Sequence, residues 1–340
     1  MCLVPLTMSL MTTRDTRVER VTGMSHAITA LASRTPFKPH RWLRPDSPEM
    51  LAALLRHRLE KGIGGSGSQA WSASRGSDIC AVALLHPLPW DSSVLGVSAG
   101  RIDLVAAGDY DERCGALSAV LQPALGAAKA AGIRHVSIRL DAGDDAGIHA
   151  LERQGFLNVD ALLTFGLWLD AAKAESAGPD ICVRPVSAAE TQDVGEIAAE
   201  ALRDGRFHTD PDISTEAGRR AYRSWALACC EGTAADAVLV ATGPEGVRGF
   251  VACRIQSDTA VHLQRQAGTI VLVATAPVAR GLGVGAALIA AASAWFAERD
   301  VVAVEVGTQL RNVPAARLYE RCGFRMVGGA LSFRAMIDDK

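Results

Sequence analysis

The chain has little of what marks the specialised protein classes. Aromatic residues make up only 5% of its 340 residues and are scattered, so no base-stacking surface is expected. The formal net charge of −2 supplies no field for a polyanion, and nucleic acid is not an expected partner. The eight cysteines, at positions 2, 80, 114, 182, 229, 230, 253 and 322, contain no Cys-x-x-Cys pair and no zinc spacing. No metal site is expected, and a reduced, cytoplasmic setting is. No apolar run reaches the roughly 18 to 20 residues of a membrane helix, and residues 1–13 have no basic segment ahead of their apolar residues, so neither a membrane span nor a secretory signal is expected. What remains, 49% hydrophobic and 21% charged, is ordinary for a globular chain whose length favours two cores over one.

The most informative stretch is Arg280-Gly-Leu-Gly-Val-Gly285. It joins an apolar, β-branched run from Thr269 to Thr275 to an Ala/Leu-rich run from Ala286 to Trp295. The first run reads as a strand and the second as a helix. Glycines at such a junction let an anion approach free amide N–H groups at the positive end of a helix dipole. The same turn also joins strands to helices with nothing bound. It is not a P-loop, because Lys-Ser/Thr is absent, and no acidic ribose-binding residue ends a second strand as in a dinucleotide fold.

Arg280, Gly283 and Gly285 fit the Arg/Gln-x-x-Gly-x-Gly/Ala signature of the GCN5-related N-acetyltransferases (GNAT). Downstream, Asn312-Val-Pro-Ala-Ala-Arg-Leu-Tyr319-Glu-Arg-Cys-Gly323-Phe324 is similar to that family's Asn-x-x-Ala-x-x-Leu-Tyr-x-x-x-Gly-Phe segment. The resemblance implies that Arg280, Gly281, Leu282, Gly283, Val284, Gly285 and Ala286 cradle the diphosphate of acetyl-CoA as co-substrate. It implies that Val273 and Ala274 pair with the pantetheine amides, that Asn312 contacts the pantetheine arm, and that Tyr319 protonates the departing thiolate. Asn312 also suits a helix N-cap. Arg280 suits a solvated first-turn charge, and Tyr319 a core aromatic.

Sliding the chain by 168 positions aligns Gly100-Arg-Ile-Asp-Leu-Val-Ala106 with Gly268-Thr-Ile-Val-Leu-Val-Ala274, and Leu151-Glu-Arg-Gln-Gly-Phe156 with Tyr319-Glu-Arg-Cys-Gly-Phe324. The fold expected is α+β, with two tandem GNAT-like domains of mixed, mostly antiparallel sheets. The boundaries expected are a poorly ordered extension at 1–45, a degenerate copy at 46–170, a linker at 171–180 and a catalytic copy at 181–340. Glu112, Arg113, Gly115 and Leu117 stand opposite the cofactor loop, and Asp144 and Leu151 stand opposite Asn312 and Tyr319. An acidic residue and a Leu side chain there disfavour a phosphate, so the first copy is read as a packing partner or a wall of the acceptor cleft.

Within the catalytic copy the pattern predicts strands at 181–186, 237–241, 247–255, 268–276 and 301–307, helices at 188–202, 282–298 and 313–321, and a strand pair over 325–336. A loop from Asp204 to Ser214 faces the acceptor, and Phe207, His208 and Asp210 on it are candidate substrate residues. His208 has the pKa class of a general base, or of a solvated surface group. Arg206, Asp212 and Glu305 are further candidates to bind or deprotonate an acceptor.

Within the family, Trp90-Asp-Ser-Ser-Val-Leu-Gly96, Gly205-Arg-Phe-His208 with Tyr222-Arg-Ser-Trp225, and Val306-Gly-Thr-Gln309 resemble the dTDP-fucosamine acetyltransferase type. This implies an acetyl-CoA N-acetyltransferase acting on a small-molecule primary amine, first an amino-sugar nucleotide, as a monomer or homodimer. A mycothiol-synthase-like enzyme for another amine, and an acyl-CoA sensor without catalysis, are the alternatives.

Overall fold

A computed structural model of the chain describes residues 16–169 and 181–337. The expected linker and residues 1–15 of the expected extension lie outside the described residues. In the first copy the elements run β1 (Arg17–Val21), α1 (His26–Arg34), α2 (Pro48–Ile63), β2 (Gln69–Arg75), β3 (Asp78–Pro87), α3 (Pro89–Leu95), β4 (Ala99–Ala106), α4 (Tyr110–Ala130), β5 (His135–Asp141), α5 (Asp145–Arg153) and β6 (Leu157–Trp168). The second copy runs β7 (Cys182–Pro185), α6 (Thr191–Ala201), α7 (Arg206–Thr209), α8 (Thr215–Cys230), β8 (Ala237–Gly243), β9 (Gly246–Gln256), α9 (Ser257–Leu263), β10 (Ala267–Thr275), α10 (Val284–Ala297), β11 (Ala303–Gln309), α11 (Val313–Arg321) and β12 (Arg325–Met336).

The 168-residue repeat extends well beyond the stretch legible in the sequence. β2 and β8, α3 and α9, β5 and β11, α5 and α11, and β6 and β12 each begin and end 168 positions apart. Residues 17–43, expected in a poorly ordered extension, carry β1, α1 and a 3-10 turn. β1 pairs with β2 from Arg17 opposite Ser74 to Val21 opposite Ala70, and Ile28 and Leu31 of α1 are buried against Val82 and Leu84 of β3. Apolar residues on α1 thus find a sheet face to cover, which a disordered tail could not offer.

All the strands belong to one sheet, ordered β1-β2-β3-β4-β5-β12-β6-β11-β10-β9-β8-β7. The last strands are exchanged: β12 of the second copy pairs with β5 of the first, and β6 of the first pairs with β11 of the second. They meet each other at the centre. The copy expected to be catalytic is therefore not a self-contained unit over 181–340, because one wall of its central sheet is β6. The segment expected as a final strand pair is the single strand β12.

Alternation along β3 assigns the helices to faces. Ala81, Ala83 and Leu85 pack with α4, and Val82 and Leu84 with α1 and α2. In the second copy Gly249 and Gly268 lie under α10, where an added Cβ would meet Val284 at 3.1 Å and crowd Phe296. Five phenylalanines, Phe165, Phe250, Phe296, Phe324 and Phe333, are fully buried. Each contributes roughly 1.5–3 kcal/mol relative to exposure.

Candidate active site

The site begins where two parallel strands part. β10 and β11 pair only from Ala267 opposite Ala303 to Ile270 opposite Val306, and the β9–β10 register shifts between Ile270 and Leu272. Beyond that vertex β10 follows β9 to Thr275 and β11 follows β6 to Gln309, which opens a wedge. Ala276 donates its N–H to the Arg248 carbonyl at 2.9 Å. Antiparallel ladders alternate, so Leu272 and Ala274 direct their backbone groups to β9, while Val273 and Thr275 direct theirs into the wedge. Of the expected pair, Val273 faces the gap and Ala274 does not. Thr275 takes its place because sheet pairing selects alternate residues.

The glycine loop lies at the open end of the wedge. Gly281 and Gly283 have φ of +78° and +82°, a region that favours glycine, and an added Cβ at Gly281 meets nothing within 4 Å. Gly283 is the N-cap of α10 and offers no side chain to its first amides, and the first turn carries no acidic residue. Those N–H groups remain available to an anion. The Leu282 side chain is exposed, and Gly285 packs tightly on α11, since a Cβ there would sit 2.9 Å from Leu318 Cδ2. The loop is thus a cradle of bare backbone that fits a diphosphate.

The equivalent region of the first copy is filled. α4 starts at Tyr110, six residues earlier in the repeat than α10, so Glu112 and Arg113 are helical where the second copy has its loop. Asp109 accepts from the Glu112 N–H at 2.9 Å and Glu112 bonds back in a capping box. Arg113 is drawn to Asp144 and lies over the Phe37 ring. A carboxylate already holds the helix end that would receive a phosphate.

Helix α11 closes the wedge. Asn312 caps it, its Oδ1 accepting from the Ala315 N–H at 3.2 Å, so the capping role holds. Tyr319 is 3% exposed and its ring packs on Phe165 at 5.6 Å and Phe324 at 6.0 Å. Phe165 is the register partner of Val306, so Tyr319 stands at the vertex. Burial pushes its phenol above the ordinary range and keeps it protonated at neutral pH.

On the acceptor side, the expected loop contains the one-turn helix α7. Phe207 is buried in ring contact with Trp90 of the first copy at 6.4 Å and Tyr222 at 5.8 Å. His208 stacks on Tyr222 with an interplanar angle of 15°, and neither ring nitrogen has a hydrogen-bond partner. Burial, then Arg203 and Arg219, hold its pKa below the usual value, so it is a neutral imidazole. Asp210 differs from expectation. It is buried, and its carboxylate receives His135 Nε2 at 3.0 Å and Arg334 Nε at 3.0 Å, while Asp212 also pairs with Arg334. Both aspartates tie the loop to β5 and β12 instead of facing the acceptor. Arg206 is likewise bound to Asp91 of α3 at 2.8 Å.

Residues that sequence reasoning missed come from the first copy. Asp160 of β6 is 3% exposed, its Oδ1 has no partner, and burial pushes its carboxyl up against the pull of Gln309 and Arg139. Gln309, in turn, lies beside Gly205, where an added Cβ would be 3.3 Å from its Nε2 and would overlap the Tyr222 hydroxyl. His40 and Trp42 reach Glu305 of β11. No local pattern signals these residues, because strand exchange and loop docking bring them in. Among the described residues no group of His, Cys, Asp or Glu is gathered as metal ligands would be, and no helix is long and apolar enough to cross a membrane.

Residues 198–324 match the acetyltransferase (GNAT) family. The chain is similar to the spore coat polysaccharide biosynthesis protein SpsD of Bacillus subtilis (strain 168), 24% identical over 244 residues, which cover 72% of this chain and 79% of that one. Its fold resembles a GCN5-related N-acetyltransferase from Sphaerobacter thermophilus, with a TM-score of 0.62 at 15% identity over 94% of this chain and 95% of the other. It also resembles a tandem GNAT protein from the clavulanic acid biosynthesis pathway, with a TM-score of 0.57 at 13% identity over 95% and 100%. Residues 198–324 thus carry a domain of the acetyltransferase (GNAT) family, and the fold of the chain as a whole resembles that of GNAT proteins.

Proposed function

We propose that the protein transfers acetyl from acetyl-CoA to the primary amine of a small molecule by direct attack in a ternary complex, with an amino-sugar nucleotide as the first acceptor. The observation that carries this reading is the wedge between β10 and β11, with a bare amide cradle at its mouth and a protonated phenol at its vertex. The amides of residues 281–286 and Arg280 hold the diphosphate. Val273 and Thr275 meet the pantetheine amides, and Asn312 caps the helix that brings Tyr319 to the sulfur. A neutral amine attacks the thioester carbon and forms the C–N bond. Collapse of the oxyanion breaks the C–S bond, and Tyr319 donates its proton to the thiolate. Holding both substrates in one cleft supplies much of the acceleration.

The first copy is a wall of the acceptor cleft in this reading, through Trp90, Asp91 and Asp160. The sugar acceptor is supported by the likeness to a protein named for polysaccharide biosynthesis. The described cysteines are all free thiols, in keeping with a reduced cytoplasmic setting. The test is thiol release from acetyl-CoA with amino sugars, sugar nucleotides, polyamines and peptides as acceptors. Turnover is expected with an amino-sugar nucleotide. Tight acetyl-CoA binding without turnover on any of them would instead identify an acyl-CoA sensor.

A further inference from the structure

The vertex of the wedge has two sides, and Tyr319 serves only one. Gln309 on β11 points to the face that carries α7 and α8, because it lies beside Gly205 and Tyr222. Side chains alternate along a strand, so Gly307 and Glu305 share that face. Val306 and its partner Phe165, against which Tyr319 packs, take the other. Glu305 is paired with Thr269, one step before the last β10–β11 pair. A carboxylate and a phenol thus flank the vertex from opposite faces, one on the acceptor side and one on the thiol side.

The surroundings of Glu305 hold it as an anion. Its Oε1 accepts from Gln256 Nε2 at 2.8 Å and Thr269 Oγ1 at 3.2 Å, and its Oε2 from Trp42 Nε1 at 3.3 Å. His40 Nδ1 lies 3.3 Å from the same Oε2. Burial alone would raise the pKa of this carboxyl, but these donors, His40 foremost, outweigh burial and hold it below the ordinary range. His40 and Trp42 belong to the segment between α1 and α2 of the first copy, so the copy without a cofactor cradle dresses the strand of the copy that has one.

The tautomer of His40 follows from its other neighbour. Its Nε2 is 3.0 Å from Arg58 Nη2, and a guanidinium can only donate. Nε2 is therefore the acceptor, and the ring proton sits on Nδ1, directed at Glu305. That Nδ1 is buried and lies within ion-pair distance of Oε2 without completing a hydrogen bond to it. Arg58 is fixed in turn by Asp258 of α9, Nε to Oδ2 at 3.0 Å. The chain Asp258, Arg58, His40, Glu305 starts in the second copy, passes through two residues of the first and returns to the second at the vertex.

We propose that Glu305 is the proton acceptor for the substrate ammonium, and that His40 and Trp42 of the first copy are its positioning residues. This rests on the acetyl-transfer reading above. One proton passes from the ammonium to the Glu305 carboxylate, and the freed nitrogen pair attacks the thioester carbon. As the C–S bond breaks, the thiolate takes the Tyr319 proton. The second proton shed by the nitrogen replaces it through solvent, and Glu305 returns its proton to water. The sum is one amide, one free thiol and one proton released.

The test compares Glu305→Gln, His40→Ala and His40→Asn with the unaltered protein, reading kcat against pH and acetyl-CoA affinity. Glu305→Gln is expected to lower kcat at pH 7 by about 10²-fold or more, with acetyl-CoA binding unchanged. The deficit should shrink at alkaline pH, where the amine is already neutral. His40→Ala removes a donor from the carboxylate and should move the acidic limb of kcat/KM to higher pH. His40→Asn, which keeps an N–H near the Nδ1 position, should restore it. Equal loss at every pH in Glu305→Gln, a wild-type rate in that variant, or an unmoved limb in His40→Ala overturns the proposal. An unaltered protein that turns over no amine overturns the acetyl-transfer reading as well, so the two failures are distinct.

Discussion

Replacing Tyr319 by Phe should separate catalysis from stability. The ring is 3% exposed, and its packing on Phe165 and Phe324 is available to Phe as well. The hydroxyl is not among the buried side-chain atoms left without a partner, so removing it relieves no desolvation penalty and loses at most one ordinary hydrogen bond, worth about 0.5–1.5 kcal/mol. Tyr319→Phe is therefore expected to stay within about 1 kcal/mol of the parent in urea unfolding. In the reaction it removes the proton donor for the thiolate. General acid catalysis contributes about 10²–10⁴-fold, or about 2.7–5.4 kcal/mol of barrier at 1.36 kcal/mol per decade. Thiol release should fall by that factor while calorimetric acetyl-CoA affinity holds. Tyr319→Ala sets the scale for packing, with about 3–5 kcal/mol of stability lost to the cavity. A Phe variant with kcat within threefold of the parent would refute the acid role, and one destabilised by more than about 1 kcal/mol would refute the account of the hydroxyl.

Three further outcomes are expected. Gly205→Ala drives a methyl onto the Tyr222 hydroxyl, so it should cost about 1–3 kcal/mol and raise the acceptor KM, and Tyr222→Phe in the same chain should recover much of both. Asp160 has a raised carboxyl pKa in the folded state, so its contribution is fully present below the unfolded value of 3.8 and is lost as pH rises through the folded pKa. Asp160→Asn should therefore be the more stable protein at pH 7, with the difference in denaturation midpoint closing below about pH 4. A fragment spanning 181–340 loses β6, leaving β11 with an open edge and β12 without either neighbour, so it should aggregate or pair with a second copy in analytical ultracentrifugation.

The parts of the site that are local in sequence were legible there, and those made by distant chain segments were not. The glycine loop, the Asn312 cap and Tyr319 lie within one strand-helix-strand-helix run, where composition and spacing carry the information. Strand β10 begins at Ala267 and helix α10 at Val284, each within two residues of expectation. The seven-residue helix α9 gave too short a periodic run to detect, and its Val261 is 74% exposed. Sequence order pairs Ala274 with Val273, whereas a ladder uses alternate residues. A loop aspartate beside a histidine reads as a substrate group, because nothing local to Asp210 marks the His135 and Arg334 that bind it. The exchange of β6 and β12 left no trace in either strand's pattern, since both are half-buried whichever neighbour they take.

That exchange explains how a copy can lose its cofactor cradle without becoming dispensable. Asp109 and Glu112 close the helix end in the first copy, and this alone would leave a packing domain. Yet β6 forms the wall beside β11 and carries Asp160 into the acceptor face, while the segment before α2 brings His40 and Trp42 onto Glu305. The mirror contact, Asp210 on His135, runs from the second copy to the first and ends on a strand with no cradle to serve. Two equivalent dockings thus have unequal consequences. In the proposed reading, the one that ends on β11 bears on the wedge that, among the described residues, has a free helix N-terminus at its mouth, so asymmetry in the loops gives a symmetric pair of folds one candidate site with walls from both.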